Sequence, residues 1–322
     1  GVQRQALQPV AQHAAFVGGV GAERTQALAE VGDQHGQADC PRGVTAPRRR
    51  RQRAGRLRPM LGCPATTEPT GDAMAPTAHT RPDEWQVRCD LAALYRLAAL
   101  HGWDDLIFTH ISARVPGPEH HFLINPYGMM FEEITASSLV KVDAAGEKVE
   151  PSDYAVNPAG FIIHSAVHEA REDAQFVMHL HTLAGIAVSA QREGLLPISQ
   201  HSLFPLASLS YHDYEGVALN PDEKARLVRD LGHTALMILR NHGLLTLGHS
   251  AADTFLKMFM LQRACEIQIA AQAGGGELIR IPAPILAGIR AQSEQVMRGA
   301  GAALAWPGLL RRLARENPGH DR

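Results

Sequence analysis

Apolar and polar positions change their period several times along the chain, and each change predicts an element. Trp85, Val87, Leu91, Leu94, Tyr95 and Ala98 recur at helical spacing, so a first helix is expected from about Pro82 to Gly102. Short apolar runs bounded by turn residues follow: 122–124 ahead of Asn125-Pro126-Tyr127-Gly128, and 139–142 ahead of Ala144-Ala145-Gly146. They read as strands of a meander. Asn157 then Pro158 places a capping side chain before a first-turn proline and opens a helix over 158–170. Residues 176–181 read as a strand, 183–192 as a helix, 236–242 as a buried strand and 251–273 as a long helix that stops at Gly274-Gly275-Gly276. Strands and helices mix without a strict βαβ rhythm.

The long helix is apolar nearly all round, with Phe255, Leu256, Met258, Phe259, Met260, Leu261, Ile267 and Ile269. Such a helix is expected to be covered on both sides, within its own domain or by another subunit. The two ends of the chain differ from this middle. Residues 1–80 carry Arg48, Arg49, Arg50, Arg51, Arg53, Arg56 and Arg58 but no lysine and no sustained apolar period, which predicts a disordered extension that need not belong to the native product. Met74 and Met60 are the alternative starts, and removal of residues 1–73 is expected to leave folding unchanged. A folded domain is expected over 81–276 and a tail over 277–322, with a short helix near 289–297.

Composition narrows the function classes. The 322 residues are 45% hydrophobic and 20% charged with net charge −2, the balance of a soluble globular protein with no overall pull toward nucleic acid or anionic lipid. Neither class of partner is expected. Cys40, Cys63, Cys89 and Cys265 form no C-x-x-C pair, which argues against a disulfide framework and a cysteine zinc site and for a cytoplasmic location. No eighteen-residue apolar run and no signal-peptide pattern is present. Histidine is the abundant chemistry, at seventeen residues.

His179-Leu180-His181 in a strand sets two imidazoles on one face while Leu180 points into the core. A second strand ends at Asn241-His242-Gly243, where the glycine permits close approach of backbone and offers His242 as a third ligand. Three imidazoles with an open fourth position suit a catalytic zinc ion; ordinary strand histidines are the alternative. His164 and His168 lie one turn apart on the preceding helix. His164 is a candidate fourth ligand or a neighbour bonded to the site, and His168 is expected at the surface.

The ordered set Ile111-Ser112-Ala113-Arg114, Asn125-Pro126-Tyr127-Gly128, Val142-Asp143, His179-Leu180-His181-Thr182, Tyr211-His212-Asp213-Tyr214-Glu215-Gly216 and Arg240-Asn241-His242-Gly243 resembles the class II aldolase/adducin family across roughly residues 84–276. The resemblance implies a three-layer α/β/α sandwich around a mostly antiparallel sheet, a homotetramer with active sites between subunits, and a metal on His179, His181 and His242. Zinc is the first expectation, with Fe²⁺ or another divalent ion as the alternative.

Departures from the family pattern then shape the expected chemistry. Where fuculose-phosphate aldolases begin the helix with Ser-Ser-Glu, whose glutamate is the base, this chain has Pro158-Ala159-Gly160. Where they have Gly-Asn and Thr-Gly in the phosphate loops, it has Thr109-His110 and Tyr127-Gly128. With three parts of a phosphate cradle altered, a phosphosugar is not expected. The expectation is a metal-dependent aldolase or lyase acting on a non-phosphorylated carbonyl or carboxylic-acid compound. The alternatives are an adducin-like binding scaffold and an iron-dependent oxygenase of the same fold. Acid/base chemistry is assigned to His201, Tyr211 or His212, a carboxylate clamp to Arg240 on the strand face of His242, and substrate contact to Tyr127 and Gly128.

Overall fold

The computed structural model describes residues 83–216, 222–289, 291–292 and 301–322; the expected N-terminal extension lies outside them, as does most of the expected helix at 289–297. Helix α1 (Glu84–Leu100) is capped by Asp83, whose side chain accepts from the Gln86 amide. Seven strands form one sheet: β1 (His110–Arg114), β2 (Phe122–Ile124), β3 (Val140–Val142), β4 (Phe176–Leu180), β5 (Leu209–His212), β6 (Leu236–Leu239) and β7 (Gly243–Gly248). Their spatial order is β3-β2-β1-β4-β7-β6-β5, and only the β5–β6 pair is parallel.

Alternation along the strands divides the interior into layers. Ile111, Met178, Leu180, Ile238 and Leu244 face a large core shared with α1, α3 (Leu183–Ser189), α4 (Gln200–Leu206) and α6 (Ala251–Ala273). Val177, Met237, Leu245 and Leu247 face α2 (Pro158–Ala170) and α5 (Glu223–Leu231) on the other side, through Ile163, Val167, Leu227 and Leu231. The class II aldolase-like α/β sandwich expected from the resemblance is the architecture observed. On the α2 side, β1 and β4 contribute His110, Ser112 and His179 in place of aliphatic residues, so one end of this face is polar.

Two expectations change. The run 236–242 is not one strand: β6 stops at Leu239, Arg240-Asn241-His242 turns with Asn241 at φ +55°, and β7 begins at Gly243. Apolar periodicity does not reveal a turn whose flanks are both buried. The C-terminal segment is more than a tail. After the short α7 (Ala283–Ala287), helix α8 (Gly301–Glu316) packs on α1 and α6, with Leu313 fully buried and Trp306 against Phe255. Beyond it, Arg96 bonds Asn317 and the Pro318 carbonyl, and the carbonyls of His320 and Arg322 accept from the amides of Ala136 and Ser137. Helix α6 packs against the sheet, α1, α3, α4 and α8, so its cover within one chain is one of the two arrangements expected. Among the described residues no helix is long and apolar enough to cross a membrane.

Candidate functional site

Two short segments converge at the edge of the polar face. His179 comes from β4, His181 from the residue just past its end, and His242 from the β6–β7 turn. Their ligand nitrogens all lie within 4.8 Å of one another, and His179 Nε2 stands 3.1 Å from His181 Nε2. The turn can come this close because Gly243 has no side chain: a Cβ there would sit 2.5 Å from the Leu180 carbonyl oxygen and 3.2 Å from the His181 ring.

The outer nitrogens fix how these rings are protonated. His179 Nδ1 donates to the Leu244 carbonyl at 3.0 Å, and His181 Nδ1 donates to Asp105 Oδ2 at 3.1 Å. Both Nε2 lone pairs are therefore turned toward each other, an arrangement that needs a shared proton or a cation between them. Burial, reinforced by the neighbouring imidazoles, holds His179 well below the ordinary histidine range and His242 down at about 4. A divalent cation fits this donor set: neutral imidazoles are its ligands, and two nitrogens on one tetrahedral zinc ion stand about 3.3 Å apart.

A cavity of about 550 Å³ opens beside the cluster, lined among others by Asp105, Phe108, His110, Tyr127, Gly160 and Tyr214. Sequence reading named Tyr127 but missed Asp105 and His110. Nothing local marks Asp105, since the loop after α1 carries it 76 positions along the chain to His181. For His110 a signal existed in the Thr109-His110 departure itself. Thr109 sits at φ +68°, a left-handed conformation that is costly for a β-branched residue, and turns the chain into β1. His110 is 5% exposed, burial lowers it to about 3, and neither ring nitrogen has a hydrogen-bond partner among the described residues. Leaving a buried polar atom unsatisfied costs about 1–3 kcal/mol.

His168, expected at the surface, is 1% exposed and stacks on Phe122. Its Nδ1 donates to the Ala174 carbonyl at 2.8 Å, so its Nε2 accepts from Ser112 Oγ at 2.7 Å. That hydroxyl in turn accepts from His164 Nδ1 at 2.6 Å, and His164 Nε2 is left as a bare, buried lone pair. Strand β1 and helix α2 are thus joined by a directed chain of hydrogen bonds. His164 is outside the converging set of three; it stands behind His110, with ring centroids 5.9 Å apart.

The remaining candidates lie elsewhere. Arg240 is not on a strand face with His242: its guanidinium bonds the Gln191 carbonyl at 2.7 Å and lies 4.2 Å over the Tyr211 ring. Tyr211 Oη accepts from the Leu195 amide. His212 is held by Asp230 at 2.8 Å, with Glu223 at 3.5 Å from its other nitrogen. His201 is on α4. None of His201, Tyr211, His212 or Arg240 lines the cavity of this chain. Gly128 is a turn residue at φ +108°, next to Tyr127.

Comparison with known proteins places the chain in a family. The family model for the Class II Aldolase and Adducin N-terminal domain matches residues 89–269. This chain belongs to the class II aldolase and adducin family. A Pseudomonas aeruginosa protein that carries the provisional name aldolase class 2 protein is 68% identical over 240 residues, covering 74% of this chain and 92% of that one. The crystal structure of an aldolase II superfamily protein from Pseudomonas syringae superposes with a TM-score of 0.71 at 52% identity, over 76% of this chain and 98% of that one. Alpha-adducin of Mus musculus is 44% identical over 227 residues; the match spans 68% of this chain but 31% of adducin. In this chain, His179, His181 and His242 converge around a cavity that also holds His110.

Proposed function

We propose that this family member is a divalent-metal-dependent enzyme of the aldolase type, acting on a carbon–carbon bond of a small, non-phosphorylated carbonyl or carboxylic-acid compound. The observation that carries the reading is the pair of opposed Nε2 lone pairs on His179 and His181, with His242 beside them and the Nδ1 atoms already committed. His179, His181 and His242 would hold the ion, zinc by preference, and the Leu244 carbonyl and Asp105 would orient two of the rings. A bound divalent ion supplies positive charge that draws electrons from a substrate carbonyl. Tyr127 and Tyr214 form walls of the cavity that receives the substrate. The substrate class follows from what the helix start lacks, since Gly160 offers no hydroxyl or carboxylate to a phosphate or to a proton.

The same reading includes a homotetramer. Leu106, Phe108 and Tyr214 are roughly half exposed and Leu183 is 88% exposed, all on segments around the site, as a subunit interface would require. A second reading is a binding domain without catalysis, favoured by the identity with alpha-adducin.

Metal analysis tests the proposal. Protein purified without chelator should carry about one zinc per chain, and His179→Ala and His242→Ala should each lose it. Stoichiometric metal surviving both substitutions would sink the assignment, and stoichiometric iron would move the chemistry toward oxygenation. A metal-loaded protein inactive across aldol donors would favour the binding domain.

A further inference from the structure

Two positions compete for one volume beside the histidine cluster. A Cβ on Gly160 would fall less than 3 Å from three atoms of the His110 ring, closer than real Cβ atoms approach anything. The imidazole enters from β1, and at Gly160 helix α2 has no side chain to oppose it. His110 is paired across the β1–β4 ladder with His179, so its ring is set at the wall of the cavity that the three converging histidines share. Both its nitrogens are buried and without partners, yet it is not one of the three residues whose nitrogens converge. An aliphatic side chain would fill this space at no cost in unmet hydrogen bonds. A polar ring with no hydrogen-bond partner among the described residues is placed to bond what enters the cavity.

We propose that His110 is the proton-transferring residue of this site, working from the space that Gly160 leaves free. The proposal rests on the aldolase-type reading above and names the group that reading lacked. A bare ring nitrogen of His110 takes a proton from the carbon next to the substrate carbonyl. The C–H electron pair becomes the new carbon–carbon double bond, and the carbonyl π pair moves to oxygen, giving an enolate and an imidazolium. The reverse step returns the proton to carbon and restores both partners. His110 lines the cavity of its own chain, whereas His201, Tyr211 and His212 do not.

The test uses the full chain and two probes, dihydroxyacetone and pyruvate, in D₂O. Zinc uptake is followed by calorimetry and the loss of the probe's C–H signal by proton NMR, with chelator-treated protein as the control. Wild type should exchange at least one probe faster than the control. His110→Asn should bind zinc within about threefold of wild type and exchange at least about 100-fold more slowly. His110→Asn/Gly160→Glu, which sends a carboxylate into the vacated volume, should recover about tenfold or more, a rescue that a merely structural role would not give. Gly160→Ala should lower Tm in the wild-type background and less so beside His110→Asn, the coupling expected of residues sharing one space. Should His110→Asn not melt cooperatively, His110→Gln takes its place. Unchanged exchange in a zinc-loaded His110 variant overturns the proposal, as does a zinc-loaded wild type that exchanges neither probe. A wild type that takes up no zinc fails earlier, at the metal reading, and the calorimetry tells the two failures apart.

Discussion

Single residues around the cluster divide into those that would touch an ion and those that aim the ligands. Asp105 is the clearest of the second kind, because its carboxylate holds His181 in the tautomer that turns Nε2 inward. Asp105→Asn should therefore lower zinc affinity by about 10–100-fold while leaving the fold intact; equal affinity by calorimetry would refute this role. His168 supplies a different test. Burial lowers it to about 3, against the ordinary 6.5 of the unfolded chain. The folded state thus favours the neutral ring, and its contribution is present above pH 6.5 and lost as pH falls toward 3. In metal-free protein, this one group should cost up to about 1.4 kcal/mol per pH unit across that window. Urea midpoints at pH 7, 6 and 5 should fall less steeply for His168→Gln than for wild type, and parallel lines would contradict the burial argument. Of these residues, His179 and His181 were legible because strand alternation is a local rule. Asp105 was not, since only the folded chain brings it to His181.

At the scale of elements, the sequence announced what begins or ends on a strong local signal. Asn157-Pro158 marked the start of α2, and the glycine run marked the end of α6 at Ala273. It did not announce β1, β5, β7, α5 or α8, whose short or half-polar runs gain their identity from what they pack against. The β6–β7 turn illustrates the difference. His242 was expected on a strand, yet it reaches the cluster from a turn made by Asn241 at positive φ and by the bare Cα of Gly243. Gly243→Ala should push the turn off the Leu180 carbonyl, destabilise the fold by about 1–3 kcal/mol and weaken zinc binding together. A variant that keeps both would mean the turn has slack that the geometry does not suggest.

For the whole molecule, the C-terminal segment is part of the fold. Helix α8 buries Leu313, sets Trp306 on α6, and is followed by the chain end that satisfies the buried Arg96 guanidinium. Deleting residues 301–322 should cost at least about 3 kcal/mol, from one lost leucine and the hydrogen bonds of a buried charge. An unchanged urea midpoint would return this segment to the status of a tail. Light scattering at micromolar concentration should give a mass of four chains, and a compact monomer would defeat the assembly expectation.

The shared volume of His110 and Gly160 also constrains the order in which such a site could be acquired. With a side chain at position 160, the His110 ring could not keep its present place, and with glycine there it can. A lineage moving toward the present pair must therefore pass through glycine first. A lineage moving away must give up the histidine before the helix regains a side chain. The two positions form a ratchet: once the imidazole is seated, a side chain added at position 160 alone should collide with it.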